Sequence, residues 1–207
     1  AGSHSATHLH EKLISESLTA AGYSEAINYS FATPEKESQL LGATPEMIRI
    51  ANPLTEEDTN LRTTLIPGLL RNLRSNLNHG NEDVRLFEMG RAYFPESLDG
   101  SESARESSRL ALIATGSYYD PFWTRGGDQY SFFHMKGVLE KIFERLGLSV
   151  DFVAVEDSSY LHPGIAASIH LREEKIGLMG ELQPSLSESW KFPEKVYLAE
   201  ITLDSLY

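Results

Sequence analysis

Between Ser5 and Gly22 the apolar residues Leu9, Leu13, Ile14, Leu18 and Ala21 recur on one side of a helix, and Gly22 can close it. The period then changes to two. Ile27, Tyr29 and Phe31 alternate with Ala26, Asn28 and Ser30, which predicts a strand with one apolar face. Thr33-Pro34 starts a short helix, with Thr33 as cap and Pro34 in the first turn, where a missing N–H is harmless. Met47 to Ala51 reads as a short strand stopped at Asn52-Pro53. The strongest helical pattern runs from Pro67 to Asn78, where Leu69, Leu70, Leu73 and Leu77 form a stripe and Gly80 lies just beyond.

Val84 to Phe94 carries apolar residues on both faces, the mark of a strand inside a covered sheet. Pro95 to Ser108 has glycine, serines and charges without apolar periodicity, which predicts an exposed loop. Leu110 to Thr115 resumes a buried strand. An aromatic loop with Trp123 and Tyr130 follows, then a helix marked by Met135, Leu139, Ile142 and Leu146 and ended by Gly147. Strands are predicted around Val150 to Val155, Ile165 to Leu171, Ile176 to Gly180 and Val196 to Ile201. Arg172 to Lys175 makes a hairpin, and Pro184 opens a short helix. These late connections are too short for parallel crossovers, so the pattern predicts an α+β fold with an antiparallel sheet. No internal repeat or low-complexity tract divides the chain, and residues 1–207 are expected to form one domain.

Composition narrows the function. With 207 residues, 41% of them hydrophobic, the chain can bury a sizeable core, and no apolar run approaches the roughly 20 residues that cross a bilayer. A cytoplasmic protein without membrane contact is expected. Zero cysteines exclude disulfides and thiolate chemistry. Ala1-Gly2-Ser3-His4 reads as a non-native remnant. A formal charge of −12 works against a broad nucleic-acid surface, because such affinity comes from cations that release counterions.

Several ordered segments resemble the bacterial phenylalanyl-tRNA synthetase β chain, in its class II synthetase-like core. They are Gly22 to Phe31, Leu61-Arg62-Thr63-Thr64-Leu65-Ile66-Pro67-Gly68-Leu69-Leu70, and Val84-Arg85-Leu86-Phe87-Glu88-Met89-Gly90-Arg91. Phe132 to Gly137, Leu161-His162-Pro163-Gly164 and Ile176 to Pro184 follow in order. The resemblance implies a class II aminoacyl-tRNA synthetase-like antiparallel sheet flanked by helices, forming one module of a longer β subunit. It further implies an (αβ)2 heterotetramer whose α subunit binds ATP, magnesium and phenylalanine. tRNA(Phe) would belong to the full enzyme, with weak or no binding by this module, and the isolated module is a candidate homodimer. A stand-alone class II ligase and an unrelated acidic protein-binding module are the rival readings.

A class II site needs arginines that oppose the charge developing on ATP phosphates. Arg85 lies three residues from Glu88, one more than the family spacing, and Gly177 to Glu181 is not followed by an arginine. The resemblance therefore implies a retained fold without a catalytic centre, and no catalytic, cofactor-binding or metal residue is assigned. His4, His8 and His10 lack an acidic or cysteine partner, so a terminal or solvated role is expected. His162 is expected to fix a turn, and Gly126-Gly127 to be a flexible turn. Glu88 and Arg91 fall on opposite strand faces and should not pair locally. Arg62, Leu65, Leu69 and Leu73 are the candidate partner interface, in a leucine stripe that is equally readable as core.

Overall fold

The computed structural model describes residues 6–53, 55, 59–98, 101–119 and 127–206. Helix α1 (Ala6–Ala20) is followed by two-residue strands β1 (Ser24–Glu25) and β2 (Phe31–Ala32) and helix α2 (Pro34–Leu41). Thr33 caps α2, its side chain accepting from the Lys36 N–H. Strand β3 (Asn60–Leu61) and helix α3 (Ile66–Asn78) lead into two long strands, β4 (Val84–Leu98) and β5 (Ser101–Thr115). After β6 (Ser117–Tyr119) and β7 (Asp128–Gln129) come α4 (Phe132–Arg145), β8 (Val150–Ala154), β9 (Leu161–Leu171) and β10 (Glu174–Leu182). Helix α5 (Pro184–Ser189), β11 (Tyr197–Thr202) and a 3-10 turn (Asp204–Leu206) complete the order.

Seven strands make one sheet in the order β1-β4-β5-β11-β10-β9-β8. Every neighbouring pair is antiparallel except β1 with β4. Both faces are covered. On one, Ile14 and Leu18 of α1 and Met135 and Leu139 of α4 pack on Phe87, Leu112 and Ala199. On the other, Leu65, Leu69, Leu70 and Leu73 pack on Val84, Ile113 and Leu198. Each such leucine or isoleucine contributes about 1.5–3 kcal/mol by leaving water, so the period of 3.6 in α1, α3 and α4 is what selects their buried faces.

Three expectations change. Pro95 to Ser108 is not a loop: its residues are the distal arms of β4 and β5, paired from Pro95↔Ala104 to Leu98↔Ser101. Polar side chains are no obstacle there, because a ribbon that runs beyond the sheet has no face to bury. Met47 to Ala51 contributes only a bridge, Arg49↔Asn60. Of the alternating segment Ala26 to Phe31, only Phe31 enters a named strand, and Ile27 and Tyr29 point outward at 91% and 83% exposure. Trp123 and Gly126 lie outside the described residues.

Candidate functional site

Arg62 donates from Nη1 to Glu88 Oε1 at 2.8 Å, and Asn28 Nδ2 donates to Glu88 Oε2 at 2.7 Å. The Arg62 Nε also donates to the Arg91 carbonyl, while the Tyr93 N–H donates to the Arg62 carbonyl. Gly90 makes room for this arginine, since a β-carbon there would overlap the guanidinium. Asn28 meanwhile rests against Gly68 at the start of α3. The period-two segment is therefore turned over: its polar residue is anchored inside and its apolar residues face out.

Arg85 and Glu88 do not converge. The alternation of strand side chains sends them to opposite faces of β4, and Arg85 lies among tyrosines, over the rings of Tyr118 and Tyr130. Its Nη2 donates to the carbonyls of Ser117 and Tyr118. Beside it the hydroxyls of Tyr23 and Tyr130 are hydrogen-bonded to one another. Burial pushes Tyr130 up to about 12 and Tyr23 well above its ordinary value, so both are neutral donors and acceptors near neutral pH.

A cleft opens on the α3 face of the sheet. Its chamber of about 480 Å³ is walled by Leu41, Phe94, Leu178 and Tyr160 and joins a smaller one of about 180 Å³ through Arg109, Tyr160, Leu178 and Glu200. Glu200 is nearly saturated: Oε1 accepts from Thr64 Oγ1 at 2.9 Å and from the Leu65 N–H at 2.7 Å, and Oε2 from Arg109 at 3.1 Å. Behind this wall Glu37 is fully buried and accepts from both the N–H and the hydroxyl of Thr63. Burial raises its pKa, and the two Thr63 hydrogen bonds only partly oppose that. Arg105 and Arg109 both lie over Phe94, at 4.8 and 5.3 Å from the ring centroid.

Gly177 borders the smaller chamber, where a β-carbon would come within 2.5 Å of the Glu200 carbonyl oxygen; at Gly180 it would meet the Ile165 carbonyl at the same distance. These glycines serve close strand packing. The Gly164 N–H donates to His162 Nδ1 at 3.0 Å, a local bond that fixes the chain there. Arg91 pairs with Glu106, not with Glu88. His4 lies outside the described residues, and among those described no three His, Cys, Asp or Glu side chains converge on a metal position.

The four interface candidates are placed inside the chain: Leu65, Leu69 and Leu73 have no exposure, and Arg62 has 6%. Packing on the sheet consumes this stripe, so its leucines are core in the chain described here. Among the described residues the exposed large apolar side chains are Leu9, Ile27, Tyr29, Phe133 and Val153; Ile27 and Tyr29 are the most open, and Tyr29 is stacked on Phe31 at 6.2 Å. Glu37, Arg109, Tyr160 and Glu200 carried no motif. A charged residue inside the apolar run of β11 was the one available signal, and it pointed to Glu200.

An antiparallel sheet with this helix arrangement is the class II aminoacyl-tRNA synthetase-like fold. Two solved structures of pyrrolysyl-tRNA synthetase from Desulfitobacterium hafniense align with TM-scores of 0.70 and 0.71 at 17% and 18% identity, covering 97% of this chain and 67% and 68% of theirs. At the sequence level the family described as phenylalanyl tRNA synthetase beta chain CLM domain matches residues 1–203, and the chain belongs to that family. Similar relatives are the phenylalanine–tRNA ligase beta subunits of Dehalococcoides mccartyi, 34% identical over 95% of this chain, and Geobacter metallireducens, 36% identical over 95%. The Carboxydothermus hydrogenoformans subunit is 35% identical over 91%. The chain spans about a quarter of their length, 24%, 25% and 24% respectively.

Proposed function

We propose that residues 1–207 form one non-catalytic core module of a phenylalanine–tRNA ligase β subunit, and that it supports aminoacylation by packing against a catalytic α subunit in an (αβ)2 enzyme. ATP, magnesium and phenylalanine belong to α, and tRNA(Phe) to the assembled enzyme in the cytoplasm. The observation that carries this reading is the reversed segment Ala26 to Ser30, which anchors Asn28 inside and leaves Ile27 and Tyr29 open to water. An alternating segment whose apolar face is outward gains nothing within its own chain and fits a surface that a partner covers. Separation of Arg85 from Glu88 across the sheet supports a non-catalytic role. In isolation the same surface favours a weak homodimer.

Co-expression with the α chain of the same organism tests the reading. The native chain is expected to co-elute with α on size exclusion, while I27D/Y29D keeps its circular dichroism and loses the complex. Absence of a native complex overturns the partnership. Phenylalanine-dependent ATP–pyrophosphate exchange by the chain alone overturns the non-catalytic part.

A further inference from the structure

The N–H of Ser131, just before α4, has no partner inside the helix. The ring of His134, three residues on, turns back to take it: Nδ1 accepts from the Ser131 N–H at 3.1 Å and lies 2.9 Å from the Ser131 hydroxyl. Glu or Gln commonly makes this return contact, and either can accept throughout the neutral range. An imidazole differs, because Nδ1 accepts only while it carries no proton. The Ser131 hydroxyl can rotate to suit either ring form, but the amide can only donate.

The surroundings of the ring set its charge. Tyr118 of β6 is stacked on it at 3.9 Å, and Tyr130 is tilted against it at 5.6 Å. Arg85 of β4 lies over both tyrosine rings, and Tyr23 is linked through the Tyr130 hydroxyl. On its open side His134 lines a cleft of about 540 Å³ between α1 and α4, together with Lys141 and Arg145; α1 supplies Ser17, to which Arg145 donates. Lys136 on the same helix is engaged with Glu140 and Phe152. Asp128 of β7 attracts a proton to the ring. Burial, Arg85 and the positive end of the α4 dipole oppose it, and the imidazole is held below its ordinary 6.5. Stacking on tyrosine would favour a cation, yet Arg85 already draws on the same two rings.

We propose that His134 is an acid-sensitive latch on the N-terminus of α4: neutral, it holds Ser131 and the first turn in place, and protonated, it drops the Ser131 N–H and releases that turn. The turn carries the output. Phe133 is 76% exposed and lines both the cleft beside α1 and a second of about 490 Å³ toward β8 and β9, which Ser131 and Phe132 also line. One protonation therefore acts on two clefts. The unfolded chain binds this proton more tightly than the folded one, so the stability that His134 contributes is present above its ordinary value and lost as pH falls through the folded value. The latch does not depend on the α partnership.

The test follows the 207-residue chain by NMR between about pH 7.5 and pH 5, the span in which an imidazole titrates. The His134 ring is expected to carry its proton on Nε2 at neutral pH and to titrate below 6.5. The Ser131 amide proton should move upfield with the same midpoint as its acceptor is withdrawn. H134A, which has no acceptor, should show the acid-form Ser131 shift throughout. H134Q keeps an acceptor that does not titrate and should show no such movement. Urea unfolding of the native chain and H134Q supplies a second readout: the native folding constant divided by that of H134Q should fall about three- to tenfold across the span, the size of a capping bond. If H134Q does not fold, the coincidence of ring and Ser131 midpoints decides. The proposal is overturned by a ring that titrates at or above 6.5, by a Ser131 amide that does not follow the ring, or by a native-to-H134Q ratio that stays flat with pH.

Discussion

Arg62 and Glu88 meet at 2.8 Å with side-chain exposures of 7% and 2%, joining the segment before α3 to the middle of β4. Both charges have left water, so the pair is held less by its own net gain than by the cost of leaving either partner alone. R62Q or E88Q is expected to destabilise the chain by about 3–5 kcal/mol, and R62M/E88L by much less than the two single changes combined. Urea titration followed by circular dichroism reads this directly. A single change costing under about 1 kcal/mol would show that the site is wet.

Glu37 makes stability depend on pH with a defined sign. Burial raises its carboxyl above 4.5 in the folded chain, so the folded state holds this proton more tightly than the unfolded state does. Its contribution is complete below the unfolded value and is lost as pH rises through the raised folded value. E37Q keeps a neutral acceptor for Thr63 and should flatten that loss. Unfolding midpoints of both proteins across the acid-to-neutral range check it: the difference between them must shift in favour of E37Q as pH rises. Parallel profiles would mean that Glu37 titrates alike in both states.

Two glycines should respond in opposite ways to alanine. At Gly177 the added carbon lies 2.5 Å from the Glu200 carbonyl oxygen, which a backbone in mid-sheet cannot vacate. G177A is expected to lose more than about 2 kcal/mol or fail to fold. Gly137 sits inside α4 with nothing within 4 Å of the same carbon. G137A should therefore stabilise the isolated chain by about 1 kcal/mol, the helix-propensity difference. Thermal melts of the pair settle it, and equal effects would contradict the packing described for β10 and β11.

Elements with a buried stripe were legible in the sequence. The leucines of α3 announce their period because water drives one face inward, and the apolar runs of β10 and β11 read as strands because both of their faces are covered. The distal halves of β4 and β5 were not legible, since Glu96, Ser103 and Glu106 bury no common face and their strand form rests on mutual pairing. Ile27 and Tyr29 misled for the converse reason: a period-two pattern reveals two faces but not which one the chain covers, and Asn28 takes the inside. The cleft was hidden because Arg109, Tyr160 and Glu200 come from three distant parts of the chain, and only the sheet order assembles them.

The β4–β5 ribbon gives the cleft a mechanical setting. Strand β11 pairs with β5 only as far as Arg109, so the outer arms project past the sheet. Near their root, Tyr93 hangs from the Arg62 carbonyl and the Asp204 carboxylate receives the Ser108 N–H. A projecting beam clamped at one end acts as a lever, and Phe94 and Arg109 sit close to its fulcrum. The same short stretch of chain thus serves both as the root of the ribbon and as a wall of the cleft.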